Sequence, residues 1–326
     1  MSATASKLRV AFQGEPGAFS EAAAVQVLGE AITTVPRPTF DGVFRAIADG
    51  GADVLLVPVE NSLAGSVVRV YDLLLENELT IFAETILPIE MNLIAMPGAT
   101  MADIRTVSSH PMALAQCELF FAAHRQFKRT PAEDTAGSVR EMMSRGDKTY
   151  AAIAGRRAAA HYHAEILAER IQDNAENFTR FVLLVPGSTS GEPAGEVAFS
   201  NSLVAGGADP IPTVSRRHLD LMVELLARRV ERFGSPSAMK MSLAMRLAHQ
   251  PGALLAALEP FSRHGINLLK IESRPIHGSP WEYQFFLDVE TQVAPHLEAA
   301  LGDVRKVTSE LRLLGLYPAA RNNSAA

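Results

Sequence analysis

Apolar and polar positions run in blocks along the chain, and the blocks change character three times. Leu8-Arg-Val-Ala-Phe-Gln13 reads as a strand closed by the turn residues Gly14-Glu-Pro-Gly17, and a helix follows from about Ala18 with Ser20 and Glu21 in its first turn. Asp53-Val-Leu-Leu-Val-Pro-Val59 is a continuous apolar run, the mark of a strand covered on both faces. Beyond the loop 60–66, Val67, Val70, Leu74 and Leu75 carry helical spacing as far as Glu76. Strand, loop and helix in alternation predict an α/β domain.

A second group of elements starts near Thr80. Thr80–Ile86 and Glu90–Met96 are strand-like, Ile104–Val107 is a short strand, and Ser108-Ser-His-Pro111 opens a helix running to about Ala123. Proline at the first helical position suits that start, because its missing N–H would have had no partner there. Thr149–Ala154 and Phe178–Val185 are further strands. These elements predict one domain over 7–185 made of two α/β lobes. The first lobe takes about 7–79 and 175–185 and the second about 80–174. A cleft between lobes is a common place for a ligand.

The pattern then breaks. Residues 186–238 have linker composition, rich in Gly, Pro and Ser, with one helical stripe at Leu219, Met222, Leu226, Val230 and Phe233. That stripe suits packing on its own subunit or a dimer contact equally well. From Lys240 the period becomes two: Met241, Leu243, Met245 and Leu247 alternate with Ser242, Ala244 and Arg246, predicting a half-buried strand. A helix from Pro251 to His264, strands at 266–273 and 282–290, a helix at 294–301 and a strand at 311–317 complete the order βαββαβ. Residues 239–318 are therefore expected to be a ferredoxin-like domain, its first helix kinked at Pro260.

Composition narrows the function classes. A chain of 326 residues suits two or three domains, and a net charge of −6 without any basic block argues against a nucleic-acid partner. No apolar run is long enough for a membrane span, and the start lacks a signal-peptide core, so the cytoplasm is the expected compartment. The single cysteine, Cys117, excludes an intrachain disulfide and a cysteine-rich metal site. It lies among Leu114, Leu119 and Phe120 and reads as a packed thiol. His161 and His163, two apart on a helix, face different sides, so no metal is expected. His110, just before Pro111, reads as a cap residue.

Candidate chemistry gathers in Val57-Pro-Val-Glu-Asn-Ser-Leu-Ala-Gly-Ser-Val67 and Asn177-Phe-Thr-Arg-Phe-Val-Leu-Leu184. Each sets small polar side chains beside buried-type apolar residues, as when a sheet presents hydroxyl and amide groups from a strand end. These two stretches, with Gly14–Ser20 and with Ser109-His-Pro111 and Ala115-Gln-Cys117, resemble prephenate dehydratase in the family's order. The last domain resembles that family's regulatory ACT domain, through Gly252-Ala-Leu-Leu255 and Glu272-Ser-Arg-Pro275.

The resemblance implies conversion of prephenate to phenylpyruvate, water and carbon dioxide, feedback inhibition by L-phenylalanine, and a homodimer or homotetramer. It also implies a two-lobed catalytic domain like that of periplasmic binding proteins. By motif match Thr179 is the catalytic threonine, and Asn61, Ser109 and Gln116 are substrate-site positions. Ser20, Ser62 and Ser66 are candidates for cradling a substrate carboxylate, and Thr135 is a further candidate. Arg180 points opposite to Thr179 on a strand, which favours an ion pair over the alternative of a substrate contact. Gly252, Ala253, Leu254 and Leu255 with Glu272, Ser273, Arg274 and Pro275 are the implied phenylalanine site. The reaction needs neither a redox step nor an electron sink, so no cofactor is expected. Arogenate, with an amino group in place of the ketone, is the rival substrate, and an amino-acid sensor without turnover is the non-enzymatic rival.

Overall fold

A computed structural model describes residues 7–187, 221–225, 228, 238–276, 279–291 and 294–320. The chain divides into two compact units, formed by the described residues of Met1–Asn77 with Thr85–Leu183 and of Glu78–Glu84 with Leu184–Ala326.

The chain begins with β1 (Leu8–Gln13), α1 (Phe19–Leu28), β2 (Ile32–Arg37), α2 (Phe40–Ala48), β3 (Val54–Asn61), the short β4 (Gly65–Ser66) and α3 (Val68–Glu76), all in the first unit, followed by β5 (Leu79–Pro88), of which the first unit has Thr85–Pro88. Strand β1 lies between β2 and β3 and is parallel to both, as helical crossovers require. Val10, Phe12, Leu55 and Leu56 are fully buried, which accounts for the unbroken apolar runs in β1 and β3. The Thr39 hydroxyl accepts from the Gly42 N–H at 3.1 Å and starts α2.

A second sheet follows. Its elements are β6 (Asn92–Ala95), β7 (Thr106–Ser109), α4 (Pro111–Ala115), α5 (Glu118–Ala123), β8 (Lys128–Pro131), α6 (Thr135–Arg145), β9 (Tyr150–Ala154), α7 (Arg156–His161) and β10 (Glu165–Ala168). They build a five-stranded sheet in the order β10-β6-β9-β7-β8. The chain then returns as β11 (Phe178–Pro186), which completes the first sheet as β2-β1-β3-β11-β5, with β4 paired to β3. Thus β3 and β11, which carry the two polar stretches, are neighbours.

The single helix expected from 108 to 123 is two helices. Asp173 supplies the reason: its carboxylate accepts the N–H groups of Glu118 and Leu119 at 2.8 and 2.9 Å, and its own N–H donates to the Gln116 carbonyl at 2.7 Å. A residue more than fifty positions downstream caps a new helix start, so α4 ends at Ala115 and Gln116 is left at a corner.

The lobes meet at a tight contact. Gly17 has φ +88°, and a Cβ there would lie 2.6 Å from the Cα of Ala158 on α7. Beside it Glu21, a buried carboxylate, accepts from the Gly17 N–H at 2.5 Å and from Arg157 at 3.2 Å.

In the second unit β12 (Met239–Arg246), α8 (Ala253–Arg263), β13 (Asn267–Ile276), β14 (Ser279–Thr291), α9 (Ala294–Arg305) and β15 (Glu310–Pro318) follow the expected βαββαβ order. The sheet order is β13-β14-β12-β15, antiparallel at each pairing. Helix α8 continues through Pro260 and reaches Arg263. Strand β12 departs from the half-buried expectation, since Ser242 and Ala244 are buried along with Met241, Leu243 and Met245. Ser242 is satisfied there by Asp288 and by the Tyr317 hydroxyl at 2.5 Å. Lys240 reaches Glu84, whose carboxylate is 1% exposed and also accepts the Ala320 N–H at 2.8 Å. The first half of β5 thus belongs to this unit. Residues 221–225 and 228 are helical, and the rest of the Leu219–Phe233 stripe lies outside the described residues, as does most of 186–238.

Candidate active site

Strand β3 ends at Asn61 beside the start of β11, where the Ser62 N–H donates to the Phe178 carbonyl at 2.9 Å. That juxtaposition places Asn61 against Thr179, which is 8% exposed. The Asn61 amide Nδ2 donates to the Thr179 Oγ1 at 3.0 Å, to the Asn177 Oδ1 at 2.8 Å and to the Phe178 carbonyl at 3.1 Å. Its Oδ1 accepts the N–H groups of Leu63 and Ala64 at 3.0 and 2.8 Å. Across the lobes, the Asn177 Nδ2 donates to the Gln116 Oε1 at 3.1 Å.

Of the sequence candidates, Asn61, Gln116 and Thr179 therefore stand in one hydrogen-bonded group, and the structure adds Asn177 to them. Asn177 lies in the same motif, but an asparagine before a strand reads as a turn residue, so its burial had no local signal. Ser62 closes the adjacent loop: its Oγ donates to the Glu176 carbonyl at 2.8 Å and accepts the Phe178 N–H at 2.9 Å. Arg180 is turned toward Glu60, with 3.8 Å between guanidinium and carboxylate.

The remaining candidates sit on other elements. Ser109 ends β7, fully buried, and its Oγ donates to the Ile153 carbonyl at 2.6 Å. Ser20 lies in the first turn of α1, Ser66 pairs across from Glu60, and Thr135 opens α6. His110 caps α4, its Nδ1 accepting the Met112 N–H at 3.2 Å. Cys117 is fully buried, and burial first, then the Asp173 carboxylate, pushes its thiol pKa up to about 12. It stays a neutral packing group at physiological pH.

At the other candidate site, Gly252 adopts φ +82° immediately before α8, a conformation that costs glycine nothing. Leu254 packs into the core of its domain, whereas Leu255 is 73% exposed. Glu272, Ser273, Arg274 and Pro275 run along the edge strand β13, where Lys270 lies 3.4 Å from Glu272.

A family model described as prephenate dehydratase matches residues 10–188, and one described as the ACT domain matches 241–306. The chain belongs to the prephenate dehydratase family. The dehydratase match alone spans more than half of the chain and contains every residue of the Gln116–Asn177–Asn61–Thr179 group. Among relatives of this dehydratase, the Arabidopsis thaliana protein named arogenate dehydratase/prephenate dehydratase 1, chloroplastic, is 35% identical. That alignment covers 96% of this chain and 72% of the relative. The prephenate dehydratase of Arthrobacter aurescens, solved in complex with L-Phe, is 28% identical with a TM-score of 0.75, over 98% of this chain and 92% of that one. A protein described as GqqA, a quorum-quenching acylase, also has a TM-score of 0.75, at 30% identity over 95% of this chain and 98% of that one. No helix among the described residues is long and apolar enough to cross a membrane.

Proposed function

We propose that the protein catalyses the decarboxylating dehydration of prephenate to phenylpyruvate in phenylalanine biosynthesis, with L-phenylalanine as a feedback effector acting through the ACT domain. The observation that carries this reading is the bond from the Asn61 amide to the Thr179 Oγ1. A hydroxyl that accepts an N–H keeps its own hydrogen for another partner, and none of the bonds around Thr179 among the described residues uses it. Prephenate must lose a ring carboxylate and a ring hydroxyl together. The electron pair of the breaking C–C bond moves into the ring, carbon dioxide departs, and the hydroxyl leaves as water once it takes a proton. Aromatisation of the product drives both cleavages.

Thr179 hydrogen-bonds the departing hydroxyl and transfers that proton in part, and solvent restores it after turnover. The Asn61 donor stabilises negative charge on the threonine oxygen as the transfer proceeds. Positioned acids of this kind contribute about 100- to 10,000-fold. The Gln116 amide serves the substrate's carboxylate side through its nitrogen, because its oxygen is held by Asn177. Feedback rests on the ACT match and on the glycine-led turn at Gly252 beside the exposed Leu255.

Arogenate is a second reading, favoured by the name of the Arabidopsis relative. The test is purified protein offered prephenate and arogenate separately at neutral pH, with products identified by mass and followed with and without phenylalanine. Phenylpyruvate from prephenate, suppressed by phenylalanine, is the expected outcome. Phenylalanine formed directly from arogenate moves the assignment to the second substrate. Binding of amino acid without turnover of either makes the protein a sensor.

A further inference from the structure

The orientation of every amide in the site follows from two backbone groups. The Leu63 and Ala64 N–H groups can only donate, so the Asn61 atom they meet is its oxygen. The Asn61 nitrogen then faces Asn177, and the Asn177 atom at 2.8 Å must be the acceptor, Oδ1. The Phe178 carbonyl, which can only accept, agrees from 3.1 Å. The other end of the Asn177 amide is consequently Nδ2, and the Gln116 atom it meets at 3.1 Å must be Oε1. The Gln116 nitrogen is left facing away from this chain of bonds.

We propose that Asn177 is a positioning residue: resting on the reading of the site given above, it turns the Gln116 amide nitrogen toward the substrate carboxylate and holds Asn61 in register to donate to Thr179. Both ends of the buried Asn177 amide are taken, by Asn61 and by Gln116, so it acts through them. It also joins the two lobes, since Gln116 follows α4 of the second sheet and Asn61 ends β3 of the first. A buried amide with both ends occupied is rigid, so it fixes the partner at each end: an acceptor facing Asn61 and a donor facing Gln116. Replacing the Asn177 side chain by one with a single polarity breaks that relay at a known end.

The test is steady-state kinetics on the full chain with prephenate, using Asn177→Ala, Asn177→Asp, Gln116→Ala, Thr179→Ala and the Asn177→Ala/Gln116→Ala double variant, each checked by thermal melting. Asn177→Ala is expected to raise KM about tenfold through Gln116 and to lower kcat about tenfold through Asn61, the size of a lost charge-assisted hydrogen bond. In the Gln116→Ala background the KM effect of Asn177→Ala should vanish while its kcat effect stays, because the two residues act as one unit on binding. Asn177→Asp keeps the acceptor for Asn61 but demands a donor from Gln116, which turns the glutamine round. It should raise KM more than kcat falls, and it carries the test if the alanine variant does not fold. Undiminished kinetics in Asn177→Ala, or KM effects that multiply in the double variant, overturn the proposal. Thr179→Ala reads the underlying mechanism separately: full turnover there sinks Thr179 as proton donor, whatever the Asn177 variants do.

Discussion

Threonine is a weak acid in water, so what it does in this site depends on its neighbours. Thr179 is buried and accepts one amide N–H, from Asn61. Thr179→Ala is expected to cut turnover by about 100- to 10,000-fold. The same change should cost only about 1 kcal/mol of stability, because one hydroxyl and its hydrogen bond are removed from a strand that keeps its ladder. Turnover assays beside thermal melts check both halves, and an inactive variant that melts like the parent is the expected pair of results. At this scale the residues Thr179, Asn61 and Gln116, which the structure groups together, could be picked out because each sits in a short motif. Asn177 and Asp173 were not, since what makes each matter is a partner more than fifty positions away: Gln116 and Asn61 for the one, the Glu118 and Leu119 N–H groups for the other.

Elements with strong apolar periodicity were equally legible. Strands β1, β3 and β11 and the whole βαββαβ unit lie within a few residues of where the pattern places them. Apolar periodicity leaves β2, α2, β4, β8, α6, α7 and β10 unassigned. Strand β2, Ile32-Thr-Thr-Val-Pro-Arg37, is only partly buried and carries a proline, so its edge position hides its period. Helix α7, Arg156–His161, is short and alanine-rich. Its role is to let the Gly17 backbone approach Ala158. Gly17→Ala is therefore expected to destabilise by about 1–3 kcal/mol, combining a left-handed φ with a side chain driven into backbone. Chemical denaturation should show a lower midpoint with an unchanged slope. A midpoint equal to the parent's would mean that the two elements separate at no cost.

For the molecule as a whole, the ACT match and the relative solved with L-Phe bear on regulation. A ligand that binds only the folded state stabilises by mass action, about 2.7 kcal/mol at a hundredfold excess over its dissociation constant. Saturating phenylalanine is thus expected to raise the melting temperature by several degrees and to depress turnover in the same concentration range. A melting temperature indifferent to phenylalanine would remove the ACT domain as its receptor.

The sequence places the two units end to end, yet the physical boundary runs through the middle of a strand. Glu78–Glu84 goes with the C-terminal unit, and Thr85–Leu183 with the other. A chain stopped just after β11 would retain Glu84 but lose two of the groups that hold its buried carboxylate, Lys240 and the Ala320 N–H. It would also bare Ile81, whose carbonyl lies so close to Gly315 that no side chain fits between them. Excising the C-terminal unit therefore leaves a wound on the rest of the chain rather than a clean end. The same holds for descent: gaining or shedding such a partner by gene fusion or loss changes the surroundings of both Glu84 and Ile81.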